Sequence, residues 1–143
     1  MLAGRLSRLA VVVVIATGCS SGPQHADLSK VEASLNMIAN AYASARQPSG
    51  KGPATLDQLK AAMADITAVV GGKPDDFLVS ARDGQPFVVL YGLAMNNNPV
   101  VAHEKTGKDG SRWVVDMRKV PRLVPDAEFD KEVAPPKGGA AKS

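Results

Sequence analysis

From Asp27 onward, apolar residues return every third or fourth position: Leu28, Val31, Leu35, Ile38, Tyr42 and Ala45. That spacing lays one apolar stripe along a helix and predicts a helix over 27–46. Asp27 can cap its start or complement its dipole. Lys30, Ser34, Asn40 and Ser44 fall on the other face, so the stripe is expected to pack on the domain's own sheet. The run Gln47-Pro48-Ser49-Gly50-Lys51-Gly52-Pro53 ends the helix in an exposed loop. Thr55 with Gln58 three residues later is a capping box, opening a shorter helix that turns Leu56, Leu59 and Met63 inward. Residues 65–70 read equally as a helix end or a short strand, and 71–76 as a turn.

The period then shifts from helical to strand-like. Phe77–Ser80 and Pro86–Tyr91 read as strands around Asp83-Gly84, a hairpin signal. Val100–Lys105 and Arg112–Met117 read as a third and a fourth strand around the turn Thr106–Ser111. The fourth can extend to Val120, and Pro125–Phe129 to one closing helical turn. Helices first and antiparallel strands after imply an α+β fold: a long N-terminal helix and a short second helix on a small meander sheet of about four strands. The domain is expected over 27–130, with a disordered tail over 131–143 that lacks an apolar pattern.

A different signal precedes the domain. Arg5 and Arg8 stand before the apolar run Leu9–Ala16, which is followed by Thr17-Gly18-Cys19. The run is too short to span a bilayer, which takes about 20 residues, but suits a signal-peptide core. Ala16-Thr17-Gly18-Cys19 resembles the lipobox of bacterial lipoproteins, with Ala16 where leucine is more usual. The resemblance implies cleavage after residue 18, lipidation of Cys19, and attachment to a membrane of the cell envelope. Ser20 resembles an outer-membrane, periplasm-facing address rather than the aspartate of inner-membrane retention. Val14-Ile15-Ala16 also meets the small-residue rule of an ordinary signal peptidase, and that cut would leave a secreted protein with one unexplained thiol. Residues 19–26 then form a small polar tether, and His25 within it has no neighbouring ligand or catalytic partner.

Composition narrows the partners. The chain has 143 residues, 17 basic and 14 acidic, and one cysteine. Because Arg5 and Arg8 belong to the signal, the remainder is nearly neutral. No basic stripe interleaved with aromatics points to nucleic acid. With a single cysteine there is no disulfide framework, so packing alone must hold the core.

The helix with Ala41-Tyr42-Ala43, the loop Gly50-Lys51-Gly52-Pro53, then Ala54-Thr55-Leu56-Asp57-Gln58-Leu59 and a meander sheet also resemble the soluble part of type II secretion pseudopilins. In that family a loop of this form leads from the helix to the strands. The pilin cut site, its aromatic and its early glutamate are missing here: Gly18 precedes Cys19, and the first glutamate is Glu32. The resemblance thus implies a lipid-anchored derivative, and no functional residue carries over.

Catalytic chemistry finds little support. His103-Glu104 with Asp109, Asp116 and Arg112 is the best constellation, yet strand alternation puts His103 and Glu104 on opposite faces. A hydrolase would need a nucleophile within reach of His103; cross-strand pairing of Glu104 or Lys105 with Arg112 is the expected alternative. Asp109 and Asp116 could join a calcium site, but Lys108–Ser111 lacks the carboxylates and reads as a plain turn. No metal cluster, phosphate loop or cofactor motif is found. Trp113 shares a face with Val115 and Met117 and is expected in the core. The chain is therefore expected to be a non-enzymatic, membrane-anchored interaction or structural module of the envelope, serving an envelope protein partner. The alternatives are a small-ligand-binding lipoprotein, which needs a concave apolar pocket, and an envelope hydrolase, which needs His103 in a cleft beside a carboxylate.

Overall fold

The computed structural model of the protein describes residues 23–134. Helix α1 spans Pro23–Ser44 and α2 spans Leu56–Val70; the strands are β1 (Val88–Val89), β2 (Val100–His103), β3 (Ser111–Asp116) and β4 (Arg122–Pro125); α3 (Asp126–Val133) closes the chain. The strands form one antiparallel sheet in the order β1-β2-β3-β4. This is the α+β meander that the change of period predicts.

Burial on α1 is wider than one stripe. Val31, Leu35, Ile38 and Tyr42 are fully buried as expected, and so are Ala39 and Ala41. The reason is position: α1 packs against α2 and also against β2 and β3, so more than one face is covered. The helix starts at Pro23 rather than Asp27, with proline in the first turn, where its missing N–H costs nothing. Part of the expected tether is therefore helical.

Two buried contacts fix the α1–α2 loop. The Tyr42 hydroxyl donates to the Leu90 carbonyl at 2.8 Å and accepts from Leu93 N–H at 3.3 Å. A Cβ on Gly52 would lie 2.0 Å from the Tyr42 ring, so only glycine allows this approach. In α2, Thr55 accepts from Gln58 N–H as the capping box requires, whereas Gln58 reaches back to Ala54 N–H, one residue before the cap. Leu59, Met63 and Thr67 are its buried residues, and Leu56, expected inside, is 41% exposed. Residues 65–70 complete the helix.

The first predicted hairpin is mostly absent. Pro74–Phe77 forms a single 3-10 turn, closed by Lys73 N–H donating to the Asp76 carboxylate at 2.8 Å. Only the bridge Val79–Pro86 and the two residues of β1 remain. Pro86 has no N–H to extend a ladder. The second hairpin forms as predicted, with Asp109 and Gly110 at φ of 56° and 70°, the left-handed pair of a type I′ turn. β4 has no counterpart in the sequence reading. Pro121 precedes it and Pro125 is its last residue, which argues against a strand, yet it sits at the sheet edge where proline is tolerated.

The sheet is covered on both faces. Phe87, Val101, Trp113 and Val115 join the α1–α2 core, while Val100, Val114 and Val124 form a second cluster with Phe129 of α3. The expected closing turn is thus an eight-residue helix that buries Phe129 and runs past residue 130, where the tail was expected to start.

Candidate functional site

The residues singled out in the sequence do not meet. Glu104 is fully buried, and its partner is Arg82 rather than Arg112: Arg82 Nη1 donates to Oε2 at 2.7 Å. Ser80 Oγ donates to Oε1 at 2.7 Å, and Trp113 N–H to Oε2 at 2.9 Å. Arg82 also reaches the Ser111 hydroxyl, the Ser111 carbonyl and the Lys108 carbonyl. Asp83 accepts from the N–H groups of Thr106 and Gly107. The loop 80–85 therefore clamps the β2–β3 hairpin by charge rather than by a strand ladder, which is why the first hairpin is so short.

His103 lies on the opposite face, under α3. Its Nδ1–H donates to the Glu104 carbonyl at 2.8 Å, and its ring meets Phe129 edge-on at 4.8 Å. Burial pulls its pKa below the usual histidine range; the Glu104 carbonyl opposes this and the Arg112 charge adds to it. Arg112 stacks on Phe129 at 4.4 Å, pairs with Asp126 at 3.0 Å and donates to the Lys105 carbonyl. Among the described residues no hydrogen bond joins His103 to a serine, threonine or carboxylate side chain, and His103 lines neither of the two clefts described below. Asp109 and Asp116 stand at opposite ends of β3, and no group of three or more candidate ligands for a metal occurs among the described residues. The side chain of His25 and all of Cys19 lie outside the described residues.

The feature with the geometry of a site is at the far end of β3. Asp116, 1% exposed, ends the strand and gathers Arg118 and Arg122. Arg118 donates from its backbone N–H and from Nε and Nη2, at 2.6–3.0 Å. Arg122 Nη1 donates at 2.9 Å, and its Nη2 continues to Glu132 of α3 at 2.5 Å. Burial alone would raise the Asp116 pKa, but the hydrogen bonds from Arg118 and the charges of Arg118 and Arg122 together hold it below its ordinary value. The ionic chain Arg118–Asp116–Arg122–Glu132 thus ties the end of β3 and the start of β4 to α3.

Beside this chain opens a cleft of about 440 Å³. Leu90, Tyr91, Leu93, Val100 and Val133 supply apolar lining, and Asn97, Asn98 and Arg118 contribute polar groups. Asn97 and Asn98 both take left-handed backbone, φ 62° and 48°, which asparagine tolerates. Asp116 has its lone pairs occupied by arginine donors, so it holds the wall together rather than acting as a base or a metal ligand. Arg118, its side chain 62% exposed, supplies the positive edge of the cleft. A second cleft of about 380 Å³ lies toward the other end of the sheet, lined by Asp27, Leu28, Arg82, Lys108, Asp109, Ser111 and Leu123.

No helix among the described residues is long and apolar enough to cross a membrane. No protein-family model, curated protein or solved structure matches the chain. Arg118, Arg122, Glu132 and the two asparagines were not legible as a site. Their meeting depends on the turn after β3 and on α3 crossing the sheet, and neither leaves a spacing pattern.

Proposed function

We propose that this protein is a non-enzymatic lipoprotein of the bacterial cell envelope, lipidated at Cys19, held on the periplasmic side of the outer membrane. It acts as an interaction module whose Asp116 cleft receives an envelope protein partner, in a role related to pseudopilin-like secretion components. The lipobox Ala16-Thr17-Gly18-Cys19 carries the anchor reading. Four residues after Cys19, α1 begins at Pro23, so little chain separates the lipid from the folded domain. Support for a binding rather than a catalytic role comes from how the reactive groups are used. Glu104 is engaged by Arg82, Ser80 and Trp113 N–H, Asp116 by Arg118 and Arg122, and His103 is packed under Phe129. A cleft with apolar lining and a guanidinium at its edge suits a segment that carries an apolar side chain and a nearby acceptor.

Fractionation tests the anchor: Cys19→Ala should move the protein from the membrane pellet to the soluble fraction. A Cys19→Ala variant that stayed in the pellet would contradict lipid anchoring. Photocrosslinking from Asn97 should yield an adduct with an envelope protein that is lost in Arg118→Glu.

The cleft also favours a second reading, a lipoprotein that binds a small ligand, because about 440 Å³ is within the range of ligand pockets. Native mass spectrometry of protein taken from its own envelope separates the two. A small adduct released by Val133→Trp supports the ligand reading.

A further inference from the structure

The two ends of the molecule differ, and the anchor selects between them. Four residue steps separate Cys19 from Pro23, a span of at most about 14 Å. Leu28 lies five residues further along α1, about 7 Å of helical rise. The cleft of about 380 Å³ formed by Asp27, Leu28, Lys108, Asp109 and Leu123 is therefore confined close to the bilayer surface once Cys19 carries lipid. Leu123 is 48% exposed on the edge strand. Val69, 85% exposed, and Val70, 62% exposed, end α2, while Val120, also 62% exposed, stands alone in the turn after β3. α2 starts beside the C-terminal end of α1, where Gln47 bonds to Gln58, and packs along that helix. Its fifteen residues run back about 22 Å toward the same end. Charge at this cleft is balanced, Arg82 and Lys108 against Asp27 and Asp109, so apolar contact rather than attraction to anionic lipid is what the surface offers.

We infer that this end rests on the interface of the bilayer that holds the Cys19 lipid, with Leu28, Leu123, Val69 and Val70 at headgroup level. This rests on the lipoprotein reading above. The consequence is orientation. β3 runs from Ser111 at this end to Asp116 at the other, six residues or about 20 Å, so the Asp116 cleft is held off the membrane and turned toward the periplasm.

The test uses the lipidated full chain in phosphatidylcholine vesicles that carry a headgroup-bound spin label as quencher. Because lipid occupies Cys19, single cysteines at exposed positions accept a fluorophore: Lys108→Cys and Leu123→Cys at the anchor end, Asn96→Cys beside the Asp116 cleft. The expected result is several-fold stronger quenching at 108 and 123 than at 96, unchanged when phosphatidylglycerol is added. Equal quenching at all three positions, or stronger quenching at 96, overturns the orientation. The mass of the N-terminal peptide separates the two claims. An unlipidated Cys19 removes both, whereas a lipidated Cys19 with equal quenching removes only this one.

Discussion

Glu104→Ala should be among the most damaging single changes in the domain. Glu104 has no exposed side-chain surface, and its partner Arg82 has only 9%. Three groups lose their acceptor at once: the Arg82 guanidinium, the Ser80 hydroxyl and Trp113 N–H. Removing one member of a buried pair leaves the other charge uncompensated, at a cost of about 3–5 kcal/mol. That is a large part of the ~5–15 kcal/mol that holds a domain folded. With a urea slope of about 2 kcal/mol/M, the unfolding midpoint should drop by about 2 M. Trp113 is the only tryptophan and touches the network, so its fluorescence reports the transition. The pair should be replaceable as a unit: Arg82→Met with Glu104→Leu should recover most of the loss, since a packed apolar pair avoids the desolvation of two charges. A loss below about 1 kcal/mol for Glu104→Ala, a cost typical of exposed pairs, would refute the buried clamp.

Three further outcomes are expected. Gly52→Ala forces a Cβ into the Tyr42 ring and should cost about 1–3 kcal/mol; Tyr42→Phe, which keeps the ring and loses two hydrogen bonds, should cost about 1 kcal/mol, both by urea unfolding. His103 resists protonation in the folded state because it is buried, so the unfolded chain binds more protons below about pH 6.5. Stability should then fall as pH drops from about 6.5 and level off below the lowered His103 value, and His103→Gln should flatten that slope. Asp116→Asn removes a charged acceptor shared by Arg118 and Arg122 and should cost about 1.5–3 kcal/mol, with faster hydrogen exchange in α3 as the local sign.

Periodic signals in the sequence survived folding, and long-range pairings did not show there. The stripe from Leu28 to Tyr42, the Thr55 cap and the Asp109-Gly110 turn are local, so they can be read residue by residue. Phe77–Ser80 looked like a strand because its composition is apolar, but the Asp76 bond to Lys73 and the proline at 86 favour a turn and a single bridge. β4 was hidden by Pro121 before it and Pro125 at its end, which count against a strand unless its edge position is known. The partner of Glu104 lies 22 residues upstream in a segment read only as a hairpin turn. The cleft was invisible for the same reason: Asp116, Arg122 and Glu132 come from β3, β4 and α3, and only the three-dimensional path joins them.

The central claim is that Cys19 becomes the lipidated N-terminus of a domain whose first helix begins four residues later. Mass spectrometry of the N-terminal peptide, released from protein in the membrane fraction, tests it most directly. The account predicts a chain beginning at Cys19, with a diacylglyceryl group on its sulfur. A chain beginning at any other residue, or a Cys19 with a free thiol, would contradict it.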